Sequence, residues 1–416
     1  MFKMEKLIPV ALLLVTVLYS GIVSVNAKPA VPNENNLNRQ QSIFKLSAVN
    51  MHFALRLYRQ IASQPSSASK NIFFSPISIS AALAMLSLGA KHNTLDQLQQ
   101  VLWLSNMTKN DAAEMHVAFK YLLQDLTSES NELHLKMGNS LYIQQGLNLK
   151  NKFLEDTRQF YEAEASNVDF TAPEEAKEQI NTYVRNHTDG KIQDFIKELN
   201  RDTVMILLNY VLFKGKWVKT FDPLDTSEAD FFVDDTTTVR VQMMKKMGMF
   251  YHSYDRQLSS SVILVPYKGN ASLILILPDA GKLAEVEQNL NITNFQNLIF
   301  SSQFSSASLH LPKFSLKASY KLKDLLTTMG IIDAFTNNAD LTGISESEPL
   351  KVSEVTHEAV LDVDEKGTEA AAVTGIEIMP MSLPPKYVFN KPFLLLIAQH
   401  NTKSVLFAGR VMNPTV

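Results

Sequence analysis

Residues Glu365–Pro385 read EKGTEAAAVTGIEIMPMSLPP, some thirty residues from the C-terminus and between two well-patterned apolar runs. Upstream, Ala359, Leu361 and Val363 alternate with Glu358, Val360, Asp362 and Asp364. That is the period-2 pattern of a strand with one buried face. From Thr368 the side chains become small or uncharged but keep the parity, so that Thr368, Ala370, Ala372, Thr374, Ile376 and Ile378 share one face and Glu369 and Glu377 lie on the other. A segment that stays a loop gains nothing by keeping its charges on one parity, whereas one that must lay a face on a core does. The stretch is therefore both an exposed loop and a strand in waiting. Around Met381 the prolines at 380, 384 and 385 remove donors and hold their predecessors extended, the shape in which proteases bind substrates. From composition alone an ordinary solvated linker fits equally well.

The chain has 416 residues with 39 Lys and Arg against 42 Asp and Glu, a formal charge of −3, and acids and bases are interspersed. That balance predicts neither nucleic-acid nor membrane-surface binding. At the N-terminus, Lys3 and Lys6 precede an apolar run from Leu7 to Val25 that ends in Val25-Asn26-Ala27. This is the pattern of a secretory signal peptide over residues 1–27, cleaved after Ala27. The run is nearly long enough to be an anchor, but its small-residue end and the polar stretch beyond it favour removal and an extracellular protein. The chain has no cysteine, which excludes a disulfide framework and a thiol nucleophile and leaves stability to a large core. With neither an internal repeat nor a dividing linker, residues 45–416 read as one large domain behind a loose tail at 28–44.

Along that domain, Leu46, Val49, Phe53, Leu57 and Ile61 mark an amphipathic helix. NIFFSPISIS at 71–80 opens a second, with Ser75 as N-cap and Pro76 in its first turn, and that helix is apolar nearly all round to Leu88. Asn110 to Leu126 is amphipathic without a basic stripe, Leu133–Met137 alternates as a strand, and a charged helix begins at Pro173. TVMILLNYVLF at 203–213 has the continuous apolar character of a central strand covered on both faces. Gly269-Asn270 separates two strands as a hairpin, LHLPKFSL at 309–316 reads as one strand, and Tyr320–Met329 as a helix stopped by Gly330. Strands and helices mix without strict alternation, which makes the fold α+β.

Enzymatic chemistry needs a constellation, and none assembles. The sequence has no G-x-S-x-G elbow, no H-E-x-x-H, no phosphate loop and no dinucleotide fingerprint, and its nine histidines are scattered. No metal or cofactor is expected, and the chain is not read as an enzyme. Sequons begin at Asn106, Asn186, Asn270 and Asn291, and an exported chain would expose them to glycosylation.

Glu365-Lys366-Gly367-Thr368-Glu369-Ala370-Ala371-Ala372, then Met381-Ser382, then Phe389-Asn390-Lys391-Pro392-Phe393, closely resembles the hinge, scissile bond and C-terminal signature of the serpins. NIFFSP, LSLGAK at 86–91 and Lys214-Gly215-Lys216-Trp217 are serpin-like as well, in the right order across the whole mature chain. The resemblance implies a main mixed sheet able to accept the reactive loop at about 365–385, further sheets and about nine helices. It makes Met381-Ser382 the reactive bond and Glu365, Gly367, Thr368, Glu369, Ala370, Ala371 and Ala372 the hinge. It groups Ser75, Ser78, Asn209 and His357 as a buried shutter, and Trp217, Lys313 and Glu365 as the breach at the top of the sheet, with Lys313 paired to Glu365.

The activity implied is suicide inhibition of extracellular serine proteases by a monomer that ends in a covalent complex. Unbranched, apolar Met381 suits elastase-like or chymotrypsin-like pockets; trypsin-like enzymes would want Arg or Lys. Gly375 and β-branched Val373 fall inside the inserting stretch, and a glycine weakens a strand interior. The competing expectation is a serpin that carries a small apolar hormone and does not inhibit; the small-residue hinge argues against it.

Overall fold

The computed structural model describes residues 34–107, 112–128, 133–346, 349–367 and 384–416. Among these are nine α-helices: α1 Glu34–Ala62, α2 Pro76–Ser87, α3 His92–Val101, α4 Ala112–Thr127, α5 Asn151–Tyr161, α6 Pro173–His187, α7 Leu283–Asn289, α8 Ile292–Phe300 and α9 Lys323–Met329. The strands are β1 Ile72–Phe74, β2 His134–Gln144, β3 Glu164–Val168, β4 Met205–Lys214, β5 Ser227–Phe232, β6 Thr238–Asp255, β7 Ser260–Tyr267, β8 Ala271–Pro278, β9 Gln303–Pro312, β10 Phe314–Lys321, β11 Glu354–Val363, β12 Lys386–Val388, β13 Phe393–Gln399 and β14 Val405–Val411. They form a five-stranded sheet ordered β10-β11-β4-β2-β3 and a nine-stranded sheet ordered β1-β14-β13-β8-β7-β6-β9-β12, with β5 on β6. The fold is α+β, as its mixed pattern of elements predicts.

Helix α2 lies between the sheets and touches β4 and β2 of one and β14 of the other. Every residue from Pro76 to Ser87 is buried, which explains why the segment is apolar all round. Its start follows from local chemistry: Ser75 stays extended and its Oγ accepts the Ser78 N–H at 3.4 Å, while Pro76 takes the first turn, where its missing donor costs nothing. The 203–213 run is β4, flanked by β11 and β2. The hairpin between β7 and β8 turns on Gly269 and Asn270, whose φ angles are +82° and +62°.

Four sequence expectations need correction. Residues 34–44, read as tail, are helical: α1 begins at Glu34. Ile43 is buried, and Arg39 binds Asp125 and lies 4.7 Å from the centre of the Tyr121 ring, tying this first part to α4. LHLPKFSL is two strands in different sheets, because Pro312 has no N–H to continue the ladder and Lys313 turns away to bond Gln242 O. Tyr320 belongs to β10, and the helix after it begins only at Lys323.

Strand β11, finally, is buried on both faces. A second apolar cluster built by Val168, Phe170, Ile180, Val184, Phe195 and Ile196 covers its outer face. Glu358, on that outer face, is 2% exposed and paired with Lys317 at 3.3 Å. Burial raises its carboxyl, against the pull of Lys317.

Leu83 is fully buried in α2. Leu83→Ala is expected to cost about 2–5 kcal/mol, read as a lowered midpoint in guanidinium chloride unfolding.

Candidate functional site

The line between β4 and β11 organises the site. These strands pair in parallel, from Glu354↔Ile206 to Leu361↔Phe213, and parallel pairing is slightly weaker per residue than antiparallel. Beyond Val363 the chain reverses at once. Asp364 and Gly367 exchange backbone hydrogen bonds of 3.1 and 3.3 Å, and Gly367 has φ +112°. A Cβ there would lie 2.2 Å from Gly215 O and 2.8 Å from Trp217 N. Only glycine permits both the angle and the approach.

Around this turn the three breach residues meet. Trp217, 1% exposed, donates its indole N–H to Asp364 O at 2.9 Å and stacks on Tyr267 with centroids 4.2 Å apart. Glu365 is 8% exposed; its carboxylate takes Lys313 Nζ at 2.9 Å and the Thr226 hydroxyl at 2.9 Å, and its carbonyl accepts the Phe221 N–H at 2.8 Å. Burial pushes that carboxyl up, but the Lys313 ammonium and the Thr226 hydroxyl together hold it below the usual carboxylate range. The structure thus brings Trp217, Lys313, Glu365 and Gly367 together.

Below, the four shutter residues also meet. Ser75 N–H can only donate, so His357 Nε2, 3.1 Å away, must accept. The ring proton therefore sits on Nδ1 and is donated to Asn209 Oδ1 at 2.5 Å. The Asn209 amide then donates to Ser78 Oγ, to Ser78 O at 3.1 Å and to Asn139 Oδ1 at 2.6 Å. All five residues are buried. Asn139 of β2 completes the network from directly across the ladder from Asn209; its strand, HLKMGNSLYIQ, carries no local mark of that meeting. His357 pairs with Asn209 across β11 and β4, and Tyr320 with His357 across β10 and β11. One polar row thus crosses four strands, and the His357–Asn209 bond spans the β4–β11 line.

The remaining hinge residues Thr368, Glu369, Ala370, Ala371 and Ala372, with Met381 and Ser382, lie outside the described residues. Of the sequons, Asn186 is exposed in the last turn of α6, Asn270 is exposed in the hairpin, and Asn291 is exposed as N-cap of α8, accepting the Asn294 N–H at 2.9 Å. Asn106 ends the short turn Leu104–Asn106.

The pattern of the family described as Serpin (serine protease inhibitor) matches residues 48–414, so the chain belongs to the serpins, a family of inhibitors rather than catalysts. An alpha-1-antitrypsin-like protein of Ictidomys tridecemlineatus is 49% identical over 364 residues, 88% of this chain and 87% of that one. The alpha-1-antiproteinase of Rattus norvegicus is 44% identical over 405 residues, 97% of this chain and 98% of that one. Among solved structures, human thyroxine-binding globulin with thyroxine bound superposes with a TM-score of 0.85 at 39% identity, covering 90% of this chain and 99% of that one. Human kallistatin gives 0.83 at 39% identity over the same shares.

Burial pushes the His357 imidazole down to about 3 from its ordinary 6.5. The folded state therefore wants the ring neutral. Below pH 6.5 the unfolded chain takes up a proton that the folded chain refuses, so this group's contribution is complete above 6.5 and lost as pH falls toward 3. His357→Asn is expected to flatten the pH dependence of unfolding between 6.5 and 3 by up to about 1.4 kcal/mol per pH unit. Denaturant titrations of both proteins across that range check the slope.

Proposed function

We propose that this chain is a secreted serine protease inhibitor that acts as a suicide substrate. Residues 1–27 act as its export signal, and the exposed sequons carry glycans. The protease serine Oγ attacks the Met381 carbonyl; the bond to Ser382 N breaks, the new amine leaves with the transferred proton, and an ester joins Met381 to the enzyme. The freed segment from Thr368 then enters the five-stranded sheet between β4 and β11.

The observation that carries this reading is the reversal at Asp364–Gly367. A strand continuing from Gly367 runs antiparallel to β11, and β4 is parallel to β11. Entry between them would replace one parallel interface by two antiparallel ones. The uncharged parity from Thr368 to Ile378 would face the core, since residue 368 follows the turn opposite buried Val363. Fourteen residues, 368–381, at about 3.3 Å each span about 45 Å, so an enzyme esterified to Met381 is carried far from its starting point.

The thyroxine complex of a structural relative favours a second reading, a carrier of a small apolar hormone. Two hollows bear on it. An apolar one beside α1, lined by Met51, Tyr58, Leu290 and Leu396, holds about 20 Å³, far below the roughly 300 Å³ at which ligand pockets begin. A cleft of about 1020 Å³ sets Lys197, Arg201, Lys321, Lys323 and Glu354 beside Phe195, Leu199 and Phe335, so an apolar molecule there would lie against several charges. Inhibition is the better supported.

Mixing the secreted protein with neutrophil elastase is expected to give an SDS-stable band at the summed mass, absent with Thr368→Arg, which would drive a charge into the core-facing row. Cleavage near 381 without that band would make the chain a substrate only. Glu365→Lys places a cation against Lys313 and removes the carboxylate that Thr226 caps. It is expected, like Lys313→Glu, to loosen the sheet top and to form polymers on native gels after warming, while wild type stays monomeric.

A further inference from the structure

Trp103 stands where the end of a helix favours glycine. Helix α3 stops at Val101, and Trp103 follows in the left-handed region at φ +59° and ψ +23°, its N–H on Gln100 O at 3.1 Å. Glycine is the usual residue at such a position, and a bulky side chain there is an outlier. Outliers of this kind persist where the surroundings over-determine them, and they point to a use. Leu102 and Leu104, each 2% exposed, and Met107 at 6% anchor the chain on either side, yet Trp103 is 42% exposed. The left-handed turn sends an indole out of a stretch whose other apolar side chains are buried.

The ring is held in place. The His52 imidazole of α1 stacks on it with centroids 4.3 Å apart and planes 9° from parallel. One turn further along α1, the Arg56 guanidinium donates to Val101 O at 3.4 Å and to Met329 O at 3.2 Å, which fixes the end of α3 against α1 and the end of α9. Burial, with the Arg56 charge adding to it, holds the His52 imidazole below its ordinary 6.5, so a neutral ring backs the indole. An indole covered on one face and still 42% exposed offers its other face to solvent. That face is electron-rich and rigidly placed. A tryptophan side chain offers at most about 250 Å², well short of the roughly 1,000 Å² of a stable protein interface, but it matches a single sugar ring.

The sequence names the occupant. Asn106-Met107-Thr108 is a sequon, and its asparagine is the third residue after Trp103. The residues between form one 3-10 turn, Leu104–Asn106, closed by the Met107 N–H on Leu104 O at 2.8 Å. Three residues of such a helix rise about 6 Å, so a sugar attached at position 106 starts within reach of the indole. N-acetylglucosamine, the first residue of an N-linked glycan, carries its substituents equatorially and turns axial C–H groups toward one face. Those hydrogens, polarised by the neighbouring oxygens, complement the negative face of an aromatic ring.

We propose that Trp103, backed by His52, is a carbohydrate platform that binds the first N-acetylglucosamine of a glycan on Asn106. The proposal rests on the reading of the chain as an exported glycoprotein. The contact shields the indole and stabilises the left-handed turn, which gives the tryptophan a use at a position where glycine would otherwise be the better residue.

The test is acrylamide quenching of tryptophan fluorescence in the secreted protein, with the occupancy of each sequon read by peptide mass spectrometry. The chain has two tryptophans and Trp217 is 1% exposed, so quenching reports Trp103. Asn106→Gln, which leaves the other three sequons intact, is expected to raise the quenching constant at least about twofold by uncovering the second face of the ring. On protein made with high-mannose glycans, endoglycosidase H leaves one N-acetylglucosamine and should preserve the wild-type constant; peptide-N-glycosidase removes it and should give the constant of Asn106→Gln. Trp103→Gly suits the backbone and is expected to fold. In that variant the Asn106 glycan should no longer raise the melting temperature as it does in wild type, and Trp103→Phe should restore part of the rise. Equal quenching of wild type and Asn106→Gln, with Asn106 occupied in wild type, would overturn the proposal. So would shielding lost to endoglycosidase H, or a rise in melting temperature that survives Trp103→Gly. A bare Asn106 beside occupied sequons elsewhere would overturn it as well, whereas four bare sequons would remove the glycoprotein reading and this proposal together.

Discussion

Closure of β4 against β11 is the contact on which the rest of this molecule depends. It is a parallel pair at the centre of a sheet whose neighbouring pairs β10-β11 and β4-β2 are antiparallel, and it is held by unusually specific chemistry. The row from partly buried Tyr320 through buried His357 and Asn209 to Asn139 runs across it, and the start of α2 supplies Ser75 and Ser78 from beneath. A buried polar group left unpaired costs about 1–3 kcal/mol, so separating the strands orphans His357 Nδ1–H and Asn209 Oδ1 together. The sheet is closed by polar bonds that must all be made or all be replaced. Such a network sets a threshold for opening without making the closed sheet the most stable arrangement.

The top of the same line is fixed by a different device. Gly367 lies against Gly215 and Trp217, and Glu365 is held by Lys313 and Thr226. The hinge is thus attached to β4 on one side and, through Lys313, to the junction of β9 and β10 on the other. Because β9 and β10 belong to different sheets, a single lysine couples the five-stranded sheet to the nine-stranded one at the point where the loop departs. The outer face adds a third restraint: Glu358, buried beneath the cluster of α6 and the 195–196 segment and paired with the exposed Lys317, is a group that resists being uncovered alone.

Much of this was legible in the residues. Ser75-Pro76 before an all-apolar run gave a buried, capped helix, and the unbroken apolar character of 203–213 gave a central strand. The polar cluster was read only through the family resemblance, because a serine beneath a sheet and a histidine on a strand carry no local signal of meeting. Asn139 was missed for the same reason: ladder partners are set by long-range register. The division of 309–316 did leave a trace. Leu309 and Leu311 are buried on one parity and Phe314 and Leu316 on the other, so the pattern slips by one residue at Pro312-Lys313, and a one-residue slip exchanges the faces of a strand. Burial of β11 on both faces was hidden because its outer cover, Val168 to Ile196, lies far away in sequence.

On the proposed reading, the anchorage of residues 365 and 385 explains why insertion would wait for cleavage. The loop's two ends are held at the same pole: Glu365 binds Lys313, and Lys313 follows three residues after His310, which pairs with Val388 of β12. The eight paired rows of β4 and β11 extend about 26 Å at roughly 3.3 Å per residue. A segment laid along that line as far as Met381 would have only four residues to return to Pro385, a reach of at most about 14 Å. While the bond at Met381 is intact, full entry would have to tear β12 from β9; once it is cut, the β11 side is free and β12 stays in place. On the proposed reading, the chain's own connectivity holds the loop out, and the protease releases it by the reaction that attaches the enzyme to its moving end.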